Sequence, residues 1–270
     1  MQNDAVAARC LGVVKIFSTA TGEVYALKGV DVRFPSRGVT AIVGPSGSGK
    51  SSLLRILAGI DLPTAGSVLI GGLVISGLGP TARREVRRRL IGYVFQRPSD
   101  NLIPYLTTWE HINLAAGARG MSRSSAGELL ETLGISEIGP SRPRQLSGGE
   151  QQRLAFAQAV IGRPQIVIAD EPTAQLDRAS GRGLLDVIGD LAARGTTFVL
   201  STHDPAVVEV ADRVYLLRHG ALATERRERG ALSVIDGAGR VQLPPEALAL
   251  FPGNRAVIEL HDGGVRIAPP

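Results

Sequence analysis

Gly44-Pro45-Ser46-Gly47-Ser48-Gly49-Lys50-Ser51 fits the pattern G-x-x-x-x-G-K-[ST] at every fixed position. An apolar run at residues 39–43 precedes it, and a helical pattern at residues 53–57 follows it. Glycines in such a loop allow backbone N–H groups to point at phosphate oxygens, and the following helix turns its positive end toward the same anion. The stretch therefore predicts a nucleoside triphosphate site between a strand and a helix.

The last residues of this loop have specific expected roles. We expect Lys50 to reach the β- and γ-phosphates and Ser51 to hold Mg²⁺. Lysine is scarce in the chain, which otherwise has it only at Lys15 and Lys28, so its place in the loop is informative. The expected nucleotide contacts of the loop are Gly44, Pro45, Ser46, Gly47, Ser48, Gly49, Lys50, Ser51 and Ser52.

Two carboxylates follow a second apolar run. Residues 166–169 are apolar, and Asp170 and Glu171 come directly after them. Successive residues of a strand point in opposite directions, so the two carboxylates can have different roles. We expect Asp170 to support Mg²⁺, directly or through water, and Glu171 to act as general base toward the attacking water. A helix N-cap before Pro172 is the alternative, and both interpretations can hold together.

Predicted strands alternate with predicted helices along most of the chain. Residues 197–200 form a further buried-type run. Apolar runs separated by helices are typical of an α/β protein with a parallel sheet that is covered on both faces. Between residues 102 and 160 the pattern changes to helices and loops, which predicts an inserted helical subdomain at about 97–160.

The character of the sequence changes again near residue 230. Apolar stretches flank a turn at 236–239, a helix opens at 244–245, and two further strands flank a turn at 261–264. We therefore predict a nucleotide-binding domain at 1–228 and a small β-β-α-β-β extension at 229–270. The basic stretch 225–229 before the extension is predicted to be a linker.

Composition narrows the class of protein. The chain has 270 residues, of which 44% are hydrophobic and 20% charged, as expected for a globular protein with a core. One cysteine, Cys10, excludes an internal disulfide framework. No apolar run is long enough to span a bilayer, and the N-terminus has no hydrophobic signal core. The net charge of +5 is a poor indicator of nucleic acid binding, and no nucleic acid partner is expected.

Leu146-Ser147-Gly148-Gly149-Glu150-Gln151-Gln152-Arg153 predicts a second anion site at a helix start. The stretch resembles the signature of ATP-binding-cassette (ABC) ATPases, and with the other motifs the resemblance covers residues 9–222. It implies a P-loop NTPase core of the RecA-like type with ATP and Mg²⁺ as cofactors. It also implies a head-to-tail pair with a second copy or a homologous cassette, in which Ser147, Gly148 and Gly149 of each chain close on the γ-phosphate held by the other.

The resemblance assigns further roles by position. Phe17 resembles the aromatic residue that stacks on adenine; Tyr25 is the weaker candidate, and core packing is the alternative for Phe17. Gln96 resembles the glutamine that contacts Mg²⁺ and the attacking water and senses the membrane partner. His203 resembles the histidine that contacts the γ-phosphate, and Asp177 resembles the loop residue that communicates across the dimer.

The stretch Ala169-Asp170-Glu171-Pro172-Thr173 is similar to that of the MacB/LolD/FtsE-like branch of the family. That branch powers lipoprotein release, drug or peptide export, or periplasmic mechanical work. The resemblance implies separate permease subunits and a peripheral position at the cytoplasmic face of the inner membrane. An importer ATPase and a soluble ABC ATPase of an assembly system stay open as alternatives. Intact Glu171 and His203 argue against a regulator that does not hydrolyse ATP.

Three surfaces are candidates for partners. By resemblance, the region from Gln96 to Asn113 forms the groove that receives the permease. Trp109 is expected either to form the apolar wall of this groove or to pack within the helical subdomain. The arginine-rich stretch 83–89 contacts either anionic lipid headgroups or a permease loop, or it is a solvated helix face. The extension resembles the swapped hairpins of AbrB/SpoVT-like proteins, which implies a clamp between two cassettes; a β cap on its own cassette is the alternative.

Overall fold

The computed structural model describes residues 5–20, 22–121, 127, 130–227, 230–233, 251, 256–261 and 264–268. Its strands are β1 Val6–Thr19, β2 Gly22–Pro35, β3 Gly38–Val43, β4 Ala65–Ile70, β5 Leu73–Val74, β6 Ile91–Val94, β7 Ile166–Asp170, β8 Thr197–Ser201, β9 Arg213–Arg218, β10 Ala221–Arg227, β11 Gly230–Ser233, β12 Val257–His261 and β13 Gly264–Ala268. Its helices are α1 Lys50–Leu57, α2 Pro80–Leu90, α3 Thr108–Ala118, α4 Gly148–Val160, α5 Arg178–Ala193 and α6 Pro205–Glu209.

The central sheet has the strand order β11-β10-β9-β3-β8-β7-β6. The strands from β9 to β6 in this order are parallel, and β10 and β11 continue one edge in antiparallel pairing. Every residue of β7 and β8 is buried. Ile168 and Val199 belong to the same core as α1, whereas Ala169 and Leu200 belong to the core on the opposite face with α4 and α5. Burial on both faces explains the continuous apolar runs and confirms the predicted α/β class.

A second sheet covers α1 on its other side. Its order is β2-β1-β4-β5, and each pair is antiparallel. Cys10 and Leu27 from this sheet share one core cluster with Leu53 and Leu57 of α1. Burial raises the pKa of the Cys10 thiol to about 12, so this cysteine is an apolar core residue rather than a reactive one. The sheet holds α1, and therefore the loop before it, against the central sheet.

The chain between β6 and β7 forms the helical subdomain. Within its described residues it contains α3 and α4 and no strand, as the sequence predicts. Phe156 of α4 stacks on Phe198 of β8, with ring centroids 6.1 Å apart and planes at 10°. Ile112 of α3 belongs to the same core. The subdomain is thus packed directly on the sheet that carries the site.

The end of the chain differs in part from the prediction. The basic stretch 225–229 was expected to be a linker, but Arg226 and Arg227 belong to β10, which pairs with β11 in the central sheet. The predicted domain boundary at 228/229 therefore falls within this β10–β11 pair. Strands β12 and β13 pair as the antiparallel hairpin that the sequence predicts. The predicted turn at 236–239 and the helix from 244 lie outside the described residues, and the clamp stays a prediction.

Candidate active site

The loop between β3 and α1 is shaped by glycines that approach neighbouring backbone. Gly44 has a φ of 155° and Gly49 a φ of 102°. A Cβ on Gly44 would lie 2.1 Å from the carbonyl oxygen of Leu217, and one on Gly49 would lie 2.3 Å from that of Ala26. Helix α1 begins at this loop without a side-chain cap among the described residues. Its first N–H groups have no intrahelical partner, so an anion in the loop can accept them.

Lys50 is the first residue of α1 and reaches back over the loop. Its Nζ lies 2.7 Å from the carbonyl oxygen of Gly44 and 3.1 Å from that of Pro45. On the other side, the N–H of Gly220 donates to the carbonyl oxygen of Ser48 at 3.0 Å. The loop is therefore held by the turn between β9 and β10, and the ammonium group lies against the carbonyl oxygens of the loop's first residues.

The two carboxylates lie at the ends of adjacent parallel strands. Asp170 ends β7 and pairs in register with Ser201, which ends β8. The Oγ of Ser201 donates to Oδ1 of Asp170 and accepts the N–H of Glu171 at 3.1 Å. The same N–H also reaches the carbonyl oxygen of Ser201 at 3.2 Å. Asp170 and Glu171 are both buried, and a single serine sets the position of both.

Glu171 has an unusual backbone conformation. Its φ is 51°, in the left-handed region, which costs a non-glycine residue about 1–2 kcal/mol. Its Oε2 lies 2.8 Å from Nδ1 of His203 and 3.4 Å from the backbone nitrogen of the same residue. The side chain of His203 is 75% exposed, whereas that of Glu171 is 10% exposed. The histidine therefore lies between the buried carboxylate and the solvent. Strain of this kind is common where a side chain has to be aimed at a reacting group.

One cavity of about 530 Å³ brings most of the predicted residues together. Its predicted lining residues are Gly44, Pro45, Ser46, Gly47, Gly49, Lys50, Ser51, Ser52, Gln96, Asp170, Glu171 and His203. Ser48 belongs to the same loop, but its side chain is buried beneath it, and its Oγ has no hydrogen-bond partner among the described residues. The phosphate loop and the strand-end carboxylates thus face the same space.

The cavity wall also contains Tyr25, the weaker of the two candidates for the adenine contact. Tyr25 lines the cavity with its neighbours Val24 and Ala26, whereas Phe17 does not. Phe17 is the cross-strand partner of Val24, is 40% exposed, and has Nζ of Lys15 at 4.9 Å from its ring centroid. Phe17 therefore lies beside the cavity, not in the core.

Ser201 is the further site residue that sequence reasoning missed. The available signal was its position: it is a polar residue that ends an apolar strand, as Asp170 does. Side chains at the carboxyl ends of neighbouring parallel strands come together at one edge of a sheet. Which strands are neighbours is not visible in the sequence.

The second predicted anion site lies outside this cavity. Ser147 caps α4, and its Oγ accepts the N–H of Glu150 at 3.3 Å while the Glu150 carboxylate accepts the N–H of Ser147 at 2.7 Å. The hydrogen bond from the Ser147 side chain lowers the pKa of Glu150. Ser147 and Gly148 are exposed, and Gly149 is half-buried. Asp177 is exposed at the start of α5, where it accepts the N–H groups of Ala179 and Ser180. None of these four residues lines the cavity of the phosphate loop.

The oxygen atoms in the cavity suit Mg²⁺. Ser51, Gln96 and Asp170 all line it, and hydroxyl, amide and carboxylate oxygens are hard ligands. The described part of the chain contains no group of three or more His, Cys, Asp or Glu residues that could hold a metal ion. Mg²⁺ usually binds through one or two carboxylates together with substrate phosphates and waters. The donor set therefore fits a magnesium ion that arrives with a nucleotide.

The chain is similar to several known proteins. The family model described as "ABC transporter" matches residues 27–174. The macrolide export ATP-binding/permease protein MacB 1 of Aeromonas hydrophila is 40% identical over 220 residues, which are 80% of this chain and 34% of that protein. An uncharacterized ABC transporter ATP-binding protein of Thermotoga maritima is 41% identical over 220 residues, which are 80% of this chain and 93% of that protein.

Among solved structures, a dimeric ATP-binding cassette in a post-hydrolysis state with ADP and Pi is 34% identical, with a TM-score of 0.77. The match covers 83% of this chain and 99% of that one. The chain spans about a third of the length of the macrolide export protein and of a probable export ATP-binding/permease protein of Pseudomonas fluorescens. In the part of the chain that the structure describes, no helix has the length and apolar character needed to cross a membrane.

Proposed function

Because this chain belongs to the ABC transporter family and is one of its ATPases, we propose that it powers a membrane permease, in export or in periplasmic mechanical work. The observation that carries the proposal is the single cavity that contains the phosphate loop together with Asp170, Glu171 and His203. A phosphate loop alone would bind a nucleotide, whereas the buried carboxylates at its side supply a base. The site of action is the cytoplasmic face of the inner membrane, where the chain is peripheral.

The proposed binding step places the triphosphate of ATP on residues 44–52. The N–H groups of the loop and of the first turn of α1 donate hydrogen bonds to the phosphate oxygens. Lys50 exchanges its contacts with Gly44 and Pro45 for contacts with the β- and γ-phosphates. When bound, Mg²⁺ neutralises negative charge on the phosphates, and Ser51, Gln96 and Asp170 would hold it. Positioning and charge stabilisation then supply most of the catalysis.

The proposed chemical step uses Glu171 as general base. The carboxylate takes a proton from the attacking water while the new P–O bond forms and the bond to the leaving ADP breaks. His203, 2.8 Å from the same carboxylate, would contact the γ-phosphate and limit the access of solvent. Ser201 keeps Asp170 and the Glu171 backbone in place through the bonds described above.

The proposed active form is a head-to-tail dimer with a second copy or a homologous cassette. The exposed start of α4, with Ser147, Gly148 and Gly149, would close on the γ-phosphate in the partner's cavity, and Asp177 would lie at the same interface. Phe17 would stack on adenine at the side of the cavity. Because these contacts require the γ-phosphate, ATP binding closes the dimer and phosphate release opens it.

The permease is expected to bind the region from Gln96 to Asn113. Gln96 is exposed and lines the nucleotide cavity, and Trp109 of α3 is 40% exposed. Trp109 also packs on Gly139. A Cβ added to Gly139 would lie 1.7 Å from Nε1 of Trp109, so only glycine leaves room for the indole there. One face of this indole is therefore part of the subdomain's packing, and the remainder is available to a partner.

The test is capture of partners by a trapped chain. We would purify a tagged Glu171→Gln variant from detergent-solubilised native membranes in ATP and Mg²⁺ and identify the proteins that co-purify. A permease with few spans and a large external domain would support export or mechanical work. A permease with many spans and a binding protein would support the importer alternative, and soluble partners alone would support the assembly-type ATPase. The last two results would each overturn the proposed branch.

A further inference from the structure

Another cavity, of about 380 Å³, lies between the end of α4 and the last two turns of α5. We call it the rear cavity and define it by Val160 of α4, Ile161 and Arg163 in the turn before β7, and Leu191 and Arg194 at the end of α5. Cavities that hold small molecules typically have about 300–1,000 Å³ and a mostly apolar lining with a few polar groups. The rear cavity has the size of such a site.

The rear cavity is separate from the nucleotide cavity. Helices α4 and α5 both end beside it, and the chain then enters β7 and β8. The cavity therefore lies near the amino-terminal ends of these parallel strands, whereas Asp170 and Ser201 lie at their carboxyl ends. The two cavities share no lining residue among those that the structure describes. An occupant of the rear cavity is therefore a ligand other than the bound nucleotide.

The floor of the rear cavity is apolar. Val160, Ile161 and Val187 are buried, and Met121 and Leu191 are partly buried against the same core. These side chains come from the chain after α3, from α4 and the turn that follows it, and from α5. The floor is thus formed by the packing of the helical subdomain on α5, and an apolar ligand body that covers it removes apolar surface from water.

Charged side chains lie at the mouth of the cavity. Arg163, Asp190 and Arg194 line it and are exposed. None of the three forms an ion pair with a residue in the described part of the chain. Two guanidinium groups and one carboxylate leave one net positive charge. The mouth therefore favours a ligand with a single negative charge.

Arg163 is held at the mouth by a strained turn. Its φ is 49°, in the left-handed region, and it precedes Pro164, which further restricts its backbone. Its N–H donates to the carbonyl oxygen of Val160 at 3.1 Å, and the guanidinium of Arg119 donates to that of Ile161. Asparagine adopts this conformation more readily than arginine does. The arginine therefore costs stability here, as is common where a side chain is aimed at a ligand.

Charge and shape together define the chemical class of the ligand. A small inorganic anion would leave the apolar floor in contact with water, and a neutral apolar molecule would leave the guanidinium groups without an anion. A carboxylate accepts two parallel hydrogen bonds from a guanidinium group. From these observations we propose that the rear cavity binds a small monocarboxylic acid with an apolar body, its carboxylate at Arg163 and Arg194 and its body on Ile161 and Leu191. This site is separate from the proposed function, and either can fail without the other.

The test is calorimetric titration of the purified full chain with octanoate. Each buried methylene group strengthens binding about four-fold, so the dissociation constant should fall by about that factor per carbon from pentanoate to octanoate. Octanamide has the same body without the charge and should bind roughly ten-fold more weakly than octanoate. Equal affinity for octanoate and octanamide would overturn the proposal, as would an affinity that does not depend on chain length.

Variants locate the binding site. Arg163→Asn/Arg194→Met removes both positive charges. Arg182→Met is the matched control, because Arg182 is exposed on α5 and does not line the cavity. An exposed charge pair contributes up to about five-fold to affinity, so the double variant should lose roughly ten-fold and the control nothing. Asp190→Asn should strengthen octanoate binding, because it removes the negative charge at the mouth. Wild-type affinity in the folded double variant would overturn the proposal.

Two further variants distinguish a ligand site from a structural role of the same side chains. Arg163→Asn alone should weaken octanoate binding and raise the unfolding temperature of the ligand-free chain by about 2 °C. Leu191→Trp should fill the cavity and abolish binding. A lower unfolding temperature in Arg163→Asn would show that the arginine serves the fold, and binding by a folded Leu191→Trp chain would place octanoate elsewhere; either result would overturn the proposal. If the double variant does not fold, Arg163→Asn and Arg194→Met singly provide the comparison.

Discussion

Replacing Ser201 by alanine removes one hydroxyl group that serves two neighbours. Its Oγ donates to the carboxylate of Asp170 and accepts the N–H of Glu171 at 3.1 Å. A hydrogen bond to a charged group contributes about 1.5–3 kcal/mol. In the variant, the N–H of Glu171 still has the carbonyl oxygen of Ser201 as an acceptor at 3.2 Å. Losing its hydrogen bond to the Ser201 hydroxyl therefore adds little to the loss of stability. We therefore expect Ser201→Ala to lower the free energy of unfolding by about 2 kcal/mol, roughly a thirty-fold change in the unfolding equilibrium.

Urea unfolding of the purified variant measures this difference. Ser136→Ala is the matched control, because the Oγ of Ser136 is also buried but has no hydrogen-bond partner among the described residues. We expect the control to change the free energy of unfolding by no more than about 0.5 kcal/mol. Ser201→Ala should also slow hydrolysis at saturating ATP, since Asp170 and Glu171 lose the group that positions them. Equal stability of the two variants would refute the reasoning.

Three further predictions follow from the same structure. Glu171→Gln should slow hydrolysis by about 10²–10⁴-fold while equilibrium binding of ATP persists, because an amide cannot accept the proton of the water; a rate near that of the wild type would exclude Glu171 as the base. Gly44→Ala should abolish nucleotide binding or folding, because its Cβ would lie 2.1 Å from a carbonyl oxygen, whereas Gly183→Ala on α5, where a Cβ meets no atom within 4 Å, should stabilise the helix by up to about 1 kcal/mol. Calorimetry and ATP binding check this pair, and a Gly44→Ala chain that binds ATP normally would contradict it. Nε2 of His111 accepts the N–H of Ile103 at 2.8 Å, and burial lowers the pKa of His111. The imidazole is therefore protonated at a higher pH in the unfolded chain than in the folded chain. Its contribution to stability is therefore full above about pH 6.5 and is lost as the pH falls through the folded pKa. His111→Asn should flatten this part of the pH profile of unfolding, and an unchanged profile would show that another group titrates.

The parallel part of the fold was predictable from the sequence. A strand that is buried on both faces is apolar over most of its length, and β7 and β8 show this at residues 166–169 and 198–200. The pairing of β1 with β2 in a second sheet was not indicated by the sequence. Its strands pair with register shifts near Cys10, Val13 and Ile16, and each shift interrupts the simple alternation by which a strand is recognised.

The end of the central sheet shows a related limit. Residues 225–229 are strongly charged, which favoured a linker, yet Arg226 and Arg227 extend β10. An antiparallel strand near the edge of a sheet can expose its side chains to water, so its charge does not exclude a strand. Composition distinguishes buried from exposed segments more reliably than it distinguishes strand from loop.

By itself, the sequence determined the chemistry of each short segment: the phosphate loop at 44–51, the carboxylates of Asp170 and Glu171, and the serine that starts α4. These features depend on residues that are adjacent in the chain, and the backbone conformations they need are encoded locally by glycine, apolar runs and capping residues. Only the tertiary structure decided which distant residues meet. Ser201 reaches Asp170 because β7 and β8 are neighbours in register. Arg119 reaches the carbonyl oxygens of Ile91 and Gln158 because α3 ends beside β6 and α4. Strand order and helix approach are set by burying the whole core at once, and no local pattern contains that information.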